Sequence, residues 1–147
     1  MRILICFITL VLFIYNCNSC KGEKTPEELI KEQINQIVDF ANKRQIKKIM
    51  DYISPDYKDS YGNRIESIKG ILIQNLMFRK NVKVIINDTV VKLAEGAATV
   101  YLGILVKEGE GVLPDNADII RIELNLVKRK DKWLIISARW KSGVSPF

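Results

Sequence analysis

The chain has 147 residues, enough for a targeting segment and one small domain, and at 48% hydrophobic and 27% charged it has a globular composition, not a disordered one. It contains no histidine, which excludes Ser-His-Asp and Cys-His catalysis, histidine metal ligands and an imidazole pH switch. The three cysteines, Cys6, Cys17 and Cys20, all fall in the first 20 residues, so residues 21–147 have no thiol nucleophile, internal disulfide or zinc-binding spacing.

Met1-Arg2 gives a short positive start, and Ile3 to Tyr15 is an uncharged run of 13 residues, apolar except for Thr9. That suits the core of a signal peptide and falls short of the ~20 residues a membrane-spanning helix needs. Asn16-Cys17-Asn18-Ser19-Cys20-Lys21 comes directly after it, and the arrangement resembles a lipobox, where a signal peptidase cuts before a cysteine that receives diacylglycerol. Cys17 has Ile14 three residues before it but Asn16 where a small residue is usual; Cys20 has a suitable Ser19 but Cys17 where leucine is normal. The resemblance implies a signal peptide over 1–16, a lipidated Cys17 (alternatively Cys20) with a tether over 17–24, and a domain over 25–147. An ordinary secretory signal and an uncleaved hydrophobic anchor are the competing readings. The lipoprotein reading places the chain in a bacterial cell envelope, with a membrane as its partner through the N-terminal lipid. Eight extended residues from Cys17 to Thr25 reach at most ~28 Å, which holds the domain close to the bilayer.

Without residues 1–20 the chain keeps 22 Lys and Arg against 17 Asp and Glu, a net of +5. The basic runs Lys43-Arg44 with Lys47-Lys48, and Lys128-Arg129-Lys130 with Lys132, read as solvated surface, with lipid headgroup contact as the sharper alternative. Nucleic acid is not an expected partner of an exported protein.

Thr25-Pro26-Glu27-Glu28 predicts a helix start, with Thr25 as N-cap, proline in the first turn and Glu28 closing a capping box. Ile30, Ile34, Ile37, Val38 and Ala41 then form one apolar stripe. A short second helix carries Ile46, Ile49, Met50 and Ile53 inward, and Ser54-Pro55-Asp56 stops it. Tyr57-Lys58-Asp59-Ser60-Tyr61 alternates before Gly62-Asn63, which predicts a short strand and turn. Ile65, Ile68, Ile71, Leu72, Met77 and Phe78 predict a third helix. From Val82 the apolar period changes to two, giving strands over 82–93, 97–108, 118–128 and 132–141 and therefore an antiparallel meander.

The last hairpin fixes a provisional facing. A two-residue turn at Lys130-Asp131 pairs Arg129 with Lys132. It puts Ile122, Leu124 and Leu126 on one face with Ile135, Ser137, Arg139 and, across from Lys128, Trp133. Arg121, Glu123 and Asn125 take the other face with Leu134, Ile136, Ala138 and Trp140. One bulge residue would exchange the faces of part of a strand.

The order helix, short helix, Tyr-containing strand, helix and four long strands is similar to the nuclear transport factor 2-like (NTF2-like) fold. So are Ile53-Ser54-Pro55-Asp56-Tyr57 with Asp59, and Lys132-Trp133-Leu134-Ile135. The resemblance covers roughly residues 25–141. It implies an α+β domain whose N-terminal helices pack on the concave face of a curved antiparallel sheet, enclosing a pocket in a cone. Relatives include polyketide cyclases, ketosteroid isomerases, dehydratases and members that only bind or assemble, so fold does not give activity. In cyclase-like relatives a histidine often stands where this chain has Ser137, and isomerase-like relatives need an inward carboxylate, whereas Glu123 is expected to point outward.

Tyr57, Asp59 and Tyr61 are expected at the pocket mouth with Arg139 and Ser137, a polar cluster suited to a small anionic or hydroxylated ligand. The bland counterpart is that Asp59 pairs with an arginine or caps the turn at Gly62 while the tyrosines pack as rim aromatics. Leu134, Ile136 and Trp140 on the outer face fit a homodimer, which the resemblance also implies. No catalytic residue, cofactor or metal is assigned. The expected protein is a membrane-tethered, non-enzymatic lipoprotein that binds a small ligand or a protein partner. The alternative is a small-molecule lyase or isomerase using the Tyr, Asp and Arg of the pocket.

Overall fold

A computed structural model describes residues 23–78, 81–109 and 116–142; the leader, Cys17 and Cys20 lie outside the described residues. Helix α1 spans Pro26–Asn42 and begins as its sequence dictates. The Thr25 hydroxyl accepts from the Glu28 amide at 3.2 Å, and the Glu28 carboxylate accepts from the Thr25 amide at 2.8 Å. Two otherwise orphaned amides are thereby satisfied. The helix stops without glycine or proline. Arg44 takes the left-handed conformation (φ 57°), and Gln45 and Arg44 donate to the Phe40 and Ala41 carbonyls at 2.8 and 3.0 Å.

A short α2, Ile46–Met50, and a longer α3, Ile65–Met77, come next. Strands β1 (Val82–Ala94), β2 (Ala97–Glu108), β3 (Asn116–Arg129) and β4 (Lys132–Ser142) form one antiparallel sheet in the order β1-β2-β3-β4. Every hairpin joins spatial neighbours, so the meander read from the change of apolar period is the observed topology. The core lies between the helices and one sheet face. Ile30 and Ile34 of α1 meet Val100, Leu126 and Trp133 there, all of them buried.

Two bulges bend the sheet. In β1 the register slips between Ile86 and Asp88, leaving Asn87 without a partner on β2. In β4 Leu126 pairs with Ile135 but Asn125 pairs with Ser137, so Ile136 is the extra residue. Up to that point the pairing expected from the Lys130-Asp131 turn holds, with Arg129 opposite Lys132 and Lys128 opposite Trp133.

Beyond the bulge the expected facing is reversed. Ile122 and Leu124 stand opposite Trp140 and Ala138, so these four share the inner face. Ser137 and Arg139 lie on the outer face with Asn125 and Glu123, and their placement toward the pocket is corrected. Trp140, expected outside, packs against the core. Leu134 keeps its outer position opposite Val127.

The bulge has a structural partner. Residues 52–58 run along the free edge of β4, where Ser54 donates to the Ile135 carbonyl at 2.9 Å, Ile135 to that of Tyr52 at 2.9 Å, and Lys58 to that of Ile136 at 3.0 Å. These bonds occupy backbone groups that an edge strand otherwise leaves open. Tyr57–Tyr61 is not a regular strand: a single bridge joins Lys58 to Arg64 around a turn closed by Gly62, at φ 82°. A side chain is strained at that dihedral, which is why glycine stands there.

Candidate functional site

Between α1, α3 and the inner sheet face lies a half-open cavity of about 310 Å³. Its walls come from the apolar stripes read in the sequence. Ile37, Val38 and Ala41 of α1 face Ile68, Leu72 and Leu76 of α3, and Leu102, Ile122 and Leu124 form the floor. Ala138 and Trp140 close one side, where the β4 bulge has turned them inward. Among the lining residues only Tyr57 and Trp140 have side chains that carry a polar atom.

Tyr57 is 3% exposed, and its ring lines the cavity. Burial, and then the nearby Asp59 carboxylate, push its phenol well above the ordinary value, partly offset by a backbone hydrogen bond at Ala138. Its hydroxyl lies 3.5 Å from the Asp59 carboxylate, too long for a strong bond.

Asp59 is buried but turned into its own loop. Its carboxylate accepts from the Tyr61 and Asn63 amides and from the Asn63 side chain, each at 2.9 Å. Burial acts to raise its pKa, but the Asn63 side chain, the Asn63 and Tyr61 amides and the Tyr57 hydroxyl outweigh it and hold it below the ordinary carboxylate range. The turn-capping reading of Asp59 is therefore the observed one. An Asp three residues before a Gly is the local signal for it.

Tyr61 is exposed, stacked obliquely on Trp140 with ring centroids 5.2 Å apart, and donates to the Trp140 carbonyl at 3.0 Å. Arg139 is across the sheet, its guanidinium 4.0 Å from the Glu123 carboxylate and its side chain 60% exposed. The structure thus brings Tyr57, Asp59 and Tyr61 to one corner of the cone but leaves Ser137 and Arg139 on its outside. The cluster of Tyr, Asp and Arg does not assemble.

The outer face is more polar than expected, because Ser137 and Arg139 join Arg121, Glu123 and Asn125 there and Trp140 leaves it. Thr99 donates to Asn125 and Asn125 to Ser137, each at 3.0 Å, in a ladder across β2, β3 and β4. Beside it Asp88, Tyr101, Arg121, Glu123 and Arg139 border a small groove of about 100 Å³. Gly103 leaves room there for Asp88: a Cβ built on it falls 2.0 Å from the Asp88 carboxylate. Leu134 and Ile136 are half-buried, and Trp140 contributes nothing to this face.

Sequence reasoning missed Gln33 and Asn42, polar residues on α1. Gln33 is buried and donates to the Trp133 carbonyl at 2.8 Å; Asn42 donates to the Val84 carbonyl at 2.9 Å and accepts from its amide at 2.8 Å. They tie the helix to β4 and β1, the two edge strands of the sheet. Among the described residues no group of three His, Cys, Asp or Glu gathers as a metal site, and no helix is long and apolar enough to cross a membrane.

No protein-family model matches the chain, and no curated protein resembles it in sequence. Solved structures do resemble it. A cystatin-like protein of unknown function from Nostoc punctiforme aligns over 84% of this chain and 96% of its own, with a TM-score of 0.66 and 14% identity. A candidate dehydratase of the NTF2-like family from Streptomyces avermitilis aligns over 82% of this chain and 100% of its own, at 0.69 and 9%. Bd1075 of Bdellovibrio bacteriovorus aligns over 80% of this chain at 0.68 and 11%, but the match spans only 40% of that protein. Identities this low carry architecture and not activity: the chain has the NTF2-like, cystatin-like fold.

Proposed function

We propose that this protein is a non-enzymatic binding module, held at a bacterial membrane by a lipidated Cys17 (or Cys20), that carries a small ligand in its cone. The observation behind this reading is the chemistry of the cavity. Its walls are almost wholly hydrocarbon, the Asp59 carboxylate beside Tyr57 is spent on a turn, and Arg139 sits on the far side of the sheet. Proton transfer needs a donor or acceptor within hydrogen-bond reach of the reacting atom. The cavity has one phenol, held strongly protonated by burial. The tether half of the reading rests on the uncharged run of 13 residues and the cysteines that end it.

The lyase or isomerase alternative keeps one favourable observation: Tyr57 lines the cavity and has Asp59 behind it, an arrangement able to donate a hydrogen bond to a substrate oxygen. A homodimer through the outer face keeps Leu134 and Ile136 but loses Trp140.

Purification of the chain from its own membranes, followed by mass spectrometry, tests the proposal. The expected result is a diacylglycerol-modified Cys17 or Cys20 at the mature N terminus and an intact small molecule released on denaturation. An unmodified N terminus at Met1, or conversion of the retained molecule that Tyr57→Phe abolishes, overturns it.

A further inference from the structure

The cavity walls also define what they will accept. We infer that the ligand presents a hydrocarbon chain of about ten carbons, inserted methyl end first with its polar end left in solvent; this rests on the binding-module reading above. Three observations converge on it.

The first is size. A volume of about 310 Å³ equals about ten water-sized volumes of ~30 Å³ each, and a methylene group is close to that size. The second is polarity. A hydroxylated ring system or polyketide pushed into this space would bury oxygens among Ile, Leu and Val side chains. The Tyr57 hydroxyl and the Trp140 indole N–H are the only side-chain polar groups in the lining, too few for several oxygens, and each unpaired buried oxygen weakens binding by roughly tenfold or more. A hydrocarbon chain loses nothing on desolvation. The third is access. The cavity is open on one side, and Ala41, Ile37 and Leu72 at its wall are half-exposed, so a head group of any charge can remain outside. The chemistry is shared by free fatty acids or alcohols and by the chains of bilayer lipids.

A homologous series of linear alkanols, from hexanol to tetradecanol, titrated against the full chain by calorimetry tests the inference. Each added methylene is expected to tighten binding about fourfold, and the gain is expected to stop near ten carbons. Two variants move that plateau in opposite directions, which separates ligand fit from a folding defect. Ala41→Trp fills the wall and brings it to shorter chains. Leu72→Ala opens the wall and takes it to longer chains by roughly two to three carbons.

Decanoate and a lysophosphatidylcholine with a ten-carbon chain identify the source. A lysolipid bound as well as decanol points to bilayer lipid, and its rejection points to free chains; both outcomes keep the alkyl class. A flat alkanol series, beside tight binding of a hydroxylated aromatic probe such as a naphthalenediol, overturns the alkyl inference while the binding module stands. Absence of binding by every probe to folded protein removes both.

Discussion

Replacing Asp59 with alanine separates a structural carboxylate from a functional one. Asp59 is 5% exposed and accepts three N–H bonds at 2.9 Å, two of them from backbone amides of its own loop. Its removal leaves these part-buried donors without their acceptor. A hydrogen bond to a charged group is worth about 1.5–3 kcal/mol, and an orphaned buried donor costs about 1–3 kcal/mol. Because the three share one carboxylate, their losses overlap, and a total near ~3 kcal/mol is the expected destabilisation. For a domain of this size that lowers Tm by roughly 10 °C.

The assay is urea unfolding followed by tryptophan fluorescence, since Trp133 is buried and reports on the core. The acid limb gives a second reading. The folded pKa of Asp59 is lowered, so its contribution is present above the ordinary Asp value of about 3.9 and is lost as pH falls through the folded value. Asp59→Asn should therefore flatten the acid limb below that point, and cost less than alanine at neutral pH. A loss under about 0.5 kcal/mol for alanine, within the range of ordinary surface changes, would refute the turn-capping argument. So would loss of ligand binding in a variant of unchanged stability.

Tyr57→Phe probes the opposite end of the pH scale. The folded pKa of Tyr57 is raised, so stability is intact below about 10 and falls as pH rises beyond the unfolded value; the phenylalanine variant should lose that alkaline dependence in a pH series of thermal melts. Arg139→Ala should change stability by less than about 0.5 kcal/mol, because its ion pair is exposed and 4.0 Å long, and should leave ligand affinity unchanged by calorimetry. Leu126→Ala, at a position 1% exposed between two sheet neighbours and the helices, should cost about 2–5 kcal/mol in denaturant unfolding. Thr25→Ala removes half of the capping box and should cost about 1 kcal/mol without altering binding.

The parts of the fold that were legible in the sequence are those written in local chemistry. Thr25 and Glu28 announced the first helix because capping needs those side chains at that spacing. The switch from helical period to alternation at Val82 announced the sheet, and the pair Lys130-Asp131 set the register of the last hairpin. Legibility ended at Ile136. Leu134, Ile135 and Ile136 are all aliphatic, so no polar residue marks which one is extra, and the bulge is held by loop 52–58, nearly 80 residues away in sequence. That single residue sent Ser137 and Arg139 outward and brought Ala138 and Trp140 in, and the candidate site changed from a polar cluster to an apolar cavity. The segment Tyr57–Tyr61 failed differently. Its alternation looks like a strand, yet Asp59 finds its donors within four residues, and a local turn wins over pairing.

A ligand held in the cone must contact its apolar walls and leave the outer sheet face untouched. A heteronuclear NMR titration of the chain with decan-1-ol tests this directly. The expected result is saturable movement of the Ala41, Tyr57, Leu72 and Ala138 amides at the cavity wall, with Thr99, Asn125 and Ser137 on the outer face unmoved. Shifts confined to that outer ladder, with the cavity resonances unchanged, would contradict the central claim.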